Sequence, residues 1–313
     1  MTVARRTALL GGLGLLAGCS TSGYQGDERA VTVAAGENGG FYLAFAELLA
    51  AQLNRAEPRL RCTPMATEGS LDNVRRVLGG QADLGLALAD VAQAATGGLR
   101  PFGSRLPLLA LGRVYENYLQ LVVRADGPVR TLAELAGRPV SLGASGSGAS
   151  VLGERLLGQA GVRADVRNLP LLEAVAALGA RSVDGLLWSG GIPTPALAEL
   201  NDRTRISLIP LDPVLPALRR VYGPVYEQVL VPAGAYRGVG ALATIGVANL
   251  LVCSPSLPDE VAAAAVRVLV NHAADLVPAQ AVGTQFLDVR TLIGTSPVPL
   301  HPGAAASYRA LHG

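Results

Sequence analysis

The chain contains no lysine; all 26 of its basic residues are arginine. Schiff-base and pyridoxal-phosphate enzymes and P-loop nucleotidases each depend on a particular lysine, so those classes are excluded. Charge is scarce, at 16% of residues, and 26 basic groups face 24 acidic ones. No basic footprint for nucleic acid results. The three histidines (His272, His301, His312) have neither an H-E-x-x-H spacing nor cysteine partners. A metal site is therefore not expected, nor is any cofactor. Of the three cysteines, Cys62 and Cys253 each lie in an apolar, strand-like run. A disulfide between them and two separate buried thiols both stay open.

Long apolar runs are missing too. Thr7 to Gly18 is uncharged for 12 residues behind Arg5 and Arg6, too short for the ~20 residues that span a bilayer but fitting a signal-peptide core. The run ends in Leu16-Ala17-Gly18-Cys19, which looks like a lipobox. Residues 1–18 then form a cleaved signal peptide, and the Cys19 thiol is the atom that carries lipid. Arg5-Arg6 leaves both the general and the twin-arginine export route open. Cleavage removes two arginines, so 26 − 2 = 24 basic groups face 24 acidic ones. The segment from Cys19 to Arg29 is polar and rich in Ser and Gly, and reads as a lipidated tether. The expected protein is extracytoplasmic and lipid-anchored at the outer face of a membrane, with no nucleic-acid partner and as a monomer.

With 313 residues there is room for about two domains. From Ala30 onward, strand–turn–helix units follow one another. Strands are expected at Val31–Ala34, Leu60–Pro64, Leu84–Leu88, Leu119–Val123, Val140–Leu142, Ala164–Leu169, Val183–Trp188 and Thr244–Val252. Helical spacing fills the intervals: Phe41, Phe45, Leu48 and Leu49 up to Pro58, then Leu71, Val74 and Leu78 behind a Ser70 cap, and so on to Gly161. This alternation predicts an α/β fold with a parallel sheet covered by helices. Its glycine turns fall at the C-terminal ends of strands, where open α/β sheets bind ligands.

Two of those turns, GENGGF (36–41) and GASGSG (143–148), each open a helix. Backbone N–H groups at a helix N-terminus suit an anion such as a carboxylate. Enzyme motifs fail in the same place. A nucleophile elbow fails because Ser147 stands where its second glycine belongs, and a dinucleotide fingerprint fails at Val151. No enzyme is expected, and an α/β hydrolase is the reading that ester turnover would revive.

Five segments in order resemble the TAXI family, the solute receptors of one branch of TRAP transporters. They are AAGENGGFYLAFAELLA, ATEGSLDNVRRVLGGQADLGLALADVA, TLAELAGRPVSLGASGSGAS, LLWSGGIPTPALAEL and PLHPGAAASYR. The match runs over nearly all of residues 30–313. Two departures stand out: Leu88-Ala89 precede Asp90 where the family has Gln-Ser, and Glu37-Asn38 replace small residues.

The resemblance implies a two-lobe, periplasmic-binding-protein-like flytrap fold (type II) whose chain crosses the hinge twice. Residues 30–120 plus 251–313 would form lobe one and 121–250 lobe two. It implies a small carboxylate-bearing ligand, an amino acid such as glutamate or an organic acid, delivered to a TRAP-type permease. A membrane-anchored sensor of the same fold, signalling to a partner such as a kinase, is the alternative. Residue by residue, Gly39, Gly40, Phe41 and Tyr42 would approach the ligand, and Ser70 and Asn73 would donate to it. Asp90 would accept an ammonium group. Ser145, Ser147 and the N–H of Gly148 would hold a carboxylate, and Trp188 would wall the cleft.

Overall fold

The computed structural model describes residues 23–279 and 287–312; the leader and Cys19 lie outside the described residues. In chain order the elements are β1 (Arg29–Ala34), α1 (Phe41–Ala56), β2 (Leu60–Met65), α2 (Ser70–Leu78), β3 (Leu84–Leu88), α3 (Ala89–Gly97) and β4 (Leu109–Arg124). Next come β5 (Pro139–Ser141), α4 (Gly148–Ala160), β6 (Asp165–Arg167), α5 (Leu171–Gly179), β7 (Gly185–Gly190), α6 (Pro195–Arg203), β8 (Ile206–Ile209) and α7 (Leu215–Tyr222). The chain closes with β9 (Tyr226–Val231), β10 (Leu242–Cys253), α8 (Asp259–Asn271) and α9 (Pro302–His312).

One sheet runs β2-β1-β3-β10-β4-β7-β5-β6, with β8 added on β4 and β9 on β10. The strands linked by helices pair in parallel: β1 with β2 and β3, and β5 with β6 and β7. The expectation of a parallel sheet fails at the centre, where β10 runs antiparallel to β3, β4 and β9, and β4 antiparallel to β7 and β8. Those two strands are long, at 16 and 12 residues, and almost continuously buried. Covered on both faces, they show no alternation that would reveal their direction.

β4 and β10 also divide the molecule into two lobes. β4 pairs with β10 through Leu109–Tyr118 and then with β7 and β8 through Tyr118–Arg124. β10 pairs with β9 through Leu242–Val247 and with β3 through Asn249–Cys253. Each strand thus begins in one lobe and ends in the other. Register shifts against β4 fall at Asn249/Leu250 and Leu251/Val252, the irregularity that lets a ladder bend.

Packing follows the same division. Phe45, Leu49, Val266 and Leu269 fill a core under α1 and α8, and Val122, Leu178, Trp188 and Leu197 fill one under α5 and α6. A third cluster, with Val91, Leu119, Leu152 and Tyr226, runs through both lobes. Each such side chain contributes about 1.5–3 kcal/mol by leaving water.

Cys62 and Cys253 are free, buried thiols, and burial pushes each up to about 12, so neither is a nucleophile at neutral pH. The segment read as a tether joins the body at Tyr24, which packs on the α1 core and donates its N–H to Glu57. His301 is fully engaged in the core: one ring nitrogen meets the Leu257 carbonyl at 2.9 Å and the other accepts from the Gly303 N–H.

Candidate functional site

A cleft opens between the lobes where the glycine turns meet. Lobe one supplies Glu37, Gly40, Phe41, Tyr42, Glu68, Ser70 and Leu88. Lobe two supplies Ser147, Gly148, Trp188 and Ser189, and the crossing strand β4 supplies Asn117. The cavity measures about 40 Å³, room for only a few waters. The walls are close because two glycines remove side chains at the contact. Gly69 has φ 114° and would place a Cβ 3.4 Å from the Ser147 Cα, while a Cβ on Gly148 would lie 2.5 Å from Leu88 Cδ1. Only glycine fits either place.

Each lobe also satisfies a helix of the other. The Gly146 carbonyl of lobe two accepts from the Leu71 and Asp72 N–H groups at the start of α2, at 3.0 and 3.4 Å. In return the Glu37 carboxylate of lobe one accepts from the Leu171 N–H at the start of α5, at 2.6 Å. Free N–H groups at a helix start carry partial positive charge, so both contacts hold the lobes together.

The floor of the cleft is a hydrogen-bonded chain. Tyr42 donates its phenol proton to Asn249 Oδ1 on β10, 2.5 Å away. Its oxygen lies 3.2 Å from Ser70 Oγ, and with the phenol proton spent the Ser70 hydroxyl must be the donor there. Ser70 Oγ in turn accepts from the Leu88 N–H at 3.0 Å. Burial pushes the Tyr42 phenol well above its usual range, so it stays a neutral polar group. Ser70 was expected to cap α2; Gly69 holds that position, and Ser70 ties β3 to α1 instead.

The other expected residues divide. Gly40, Phe41, Tyr42, Ser70, Ser147, Gly148 and Trp188 line the cleft. Ser147 spends its Oγ on the Ser150 N–H, capping α4 at 3.1 Å, and Trp188 donates to Thr194 Oγ1. Gly39 faces the adjoining groove with Glu47, Leu172 and Glu199.

Three assignments need correction. Asn73 is buried, with Nδ2 donating to the Ala35 and Leu86 carbonyls and Oδ1 accepting from Thr67; no donor is left for a ligand. Ser145 is exposed and outside the cleft lining. Asp90 is buried in the first turn of α3, and its Oδ2 accepts from Arg155 and Tyr226, each at 2.9 Å. That oxygen is committed within the protein, and Asp90 lies outside the cleft lining.

Lining residues that the sequence reading did not place at the site include Glu68, Gly69, Asn117 and Ser189. Asn117 had a signal, an amide inside an otherwise strand-like run (VYENYLQLVV). Glu37 was noticed only as a departure. The charge of the site is negative: Glu37 and Glu68 line the cleft, Asp72 and Glu173 its mouth, and Glu47 and Glu199 the adjoining groove. The single cation among those lining residues, Arg76, is paired with Asp72 at 2.9 Å. Burial raises the Glu37 carboxyl, the Glu68 and Glu173 charges raise it further, and the N–H groups of Leu171 and Ala144 oppose the shift. No group of three or more His, Cys, Asp or Glu suited to a metal occurs among the described residues.

Two lobes joined by two crossing strands, with a cleft at the strand ends, define the fold of periplasmic solute-binding proteins. Residues 33–310 match the NMT1-like family, and the chain belongs to that family. Periplasmic binding protein BugD superposes with a TM-score of 0.59 at 15% identity, over 91% of this chain and 95% of that one. MatC from Rhodopseudomonas palustris, solved with bound malate, gives 0.53 at 17% identity, over 79% and 86%. A structure described as a periplasmic transporter gives 0.56 at 12%, over 84% and 89%. At these identities the likeness is one of fold. Among the described residues no helix is long and apolar enough to cross a membrane.

Proposed function

We propose that this protein is an extracytoplasmic solute receptor, anchored through a lipid on Cys19, that binds a small solute between its lobes and delivers it to a TRAP-type permease as TAXI receptors do. The observation that carries this reading is a single cleft lined from both lobes and from β4, so a solute there touches both sides of the hinge. A solute that contacts both lobes favours the closed form by its differential affinity for it. Amino acids and organic acids are the classes that the TAXI resemblance implies, with the N-terminal turn of α4 at Gly148 as the place for a carboxylate. Residues 30–120 with 251–313 and residues 121–250 are the proposed moving bodies. A solute of amino-acid size exceeds the present cavity, so the lobes must part to admit it.

The test is a thermal-shift screen of the full chain against amino acids, amines, 2-oxo acids and dicarboxylates. A solute at 100 times its Kd stabilises the fold by about 2.7 kcal/mol, a visible shift. Stabilisation by one chemical class is the expected result; an unmoved transition across the whole panel overturns the reading.

A further inference from the structure

The cleft holds its own carboxylate. Glu37 reaches from lobe one to the Leu171 N–H at the start of α5, at 2.6 Å, with the Ala144 N–H of the GASGSG turn also drawing on it. This is the helix-start position in lobe two that would otherwise attract an anionic group of a ligand. Glu68 lines the same cleft and Glu173 its mouth. A second anion brought there meets like charges in a partly desolvated site, where repulsion is stronger than in water.

What the cleft leaves unanswered is an acceptor. Asn117 is 2% exposed and lines the cleft. Its Nδ2 donates to the Ser189 carbonyl at 3.2 Å and lies 3.3 Å from Ser189 Oγ. That carbonyl can only accept, which fixes the orientation of the amide. Asn117 Oδ1 is then left buried with no partner, an arrangement that is unfavourable unless a donor fills it. An acceptor without a donor and anions without a free cation describe the complement of an ammonium group.

Resting on the receptor reading above, we infer that the solute is a small amine of net positive charge, a diamine or a basic amino acid. Its ammonium group donates to Asn117 Oδ1 and is neutralised by Glu37 and Glu68. Plain dicarboxylates and oxo acids are rejected by the same charges. A cation bound there also favours ionised Glu37, against the rise that burial and the neighbouring carboxylates impose on it.

Isothermal titration of the full chain at pH 7.5 and low salt, with arginine, 1,4-diaminobutane, glutamate and malate as probes, tests this. Arginine or the diamine binds, weakens in 0.5 M salt as screened charges require, and exceeds glutamate and malate by about tenfold or more. Asn117→Ala weakens the amine by about tenfold to a hundredfold, the range for a hydrogen bond to a charged group. Glu68→Gln, an exposed change with no demand on folding, weakens it several-fold. Glutamate or malate binding as tightly as the amines overturns the charge assignment and leaves the receptor reading standing. Silence from all four probes overturns the assignment, and silence across the wider thermal screen removes the receptor reading with it.

Discussion

Asp90 joins the lobes from behind the cleft, and removing it tests that structural role. Its carboxylate is fully buried at the start of α3 and faces Arg155 on α4, whose side chain is 9% exposed. Arg155 also donates to the Tyr226 hydroxyl at 2.9 Å and stacks on the Tyr222 ring, 4.6 Å from its centroid. Burial drives the Asp90 carboxyl upward, against the pull of Arg155 and Tyr226. Asp90→Ala would leave a buried guanidinium with no counter-charge, which typically lowers stability by about 3–5 kcal/mol. Replacing both partners, Asp90→Leu with Arg155→Met, removes the two desolvation penalties together and should fall within about 1 kcal/mol of the wild type. Urea unfolding of the three proteins measures the difference. A single variant that loses less than about 1 kcal/mol, or that loses solute binding at unchanged stability, would refute the assignment and return Asp90 to the ligand.

Ser147→Ala removes the cap of α4 and should lower stability by about 1 kcal/mol; denaturation that matches the wild type would show the cap to be idle. In Gly148→Ala the new methyl meets Leu88 Cδ1 at 2.5 Å and Ser70 Oγ at 2.7 Å, so the lobes are held apart. Small-angle scattering should give a larger radius of gyration and calorimetry weaker binding, whereas an unchanged radius contradicts the close approach. Glu116 on β4 is raised to about 7, chiefly by burial and further by Glu227, with Arg113 opposing at 2.8 Å. A carboxyl raised on folding adds stability that is full below about pH 4.5 and is lost as pH rises through about 7. The upper bound is about 3 kcal/mol for a shift of this size. Glu116→Gln should flatten that fall between pH 4.5 and 8, and parallel profiles for the two proteins would remove Glu116 as its source.

Much of the fold was legible because helices and strands differ in period. β1, α1, β2, β3, α5 and β7 fall within a few residues of the hydrophobic pattern, and Gly161 ends α4 in a left-handed turn as a glycine after a helix should. The centre was not legible. Leu109–Tyr118 was not expected as a strand, and α3 was not expected as a helix. β8, β9 and α7 were missed as well; β9 alternates weakly, with only Tyr226 and Val231 buried.

Gly40 and Gly148, which line the cleft, stand in glycine turns that the sequence singles out. The residues chosen by distant partners were not legible. Asn73 is consumed by carbonyls of β1 and β3, and Asp90 by an arginine 65 positions away. The role of Asn117 depends on Ser189 across the sheet. Composition and spacing carry no information about such pairings.

The most direct test is a crystal structure of the full chain with the tightest-binding solute from the screen. Density for the solute between Asn117 and the Ser147-Gly148 turn, in contact with both lobes, is the expected result. Solute bound on one lobe alone, or away from the cleft, would contradict a receptor that closes on its ligand.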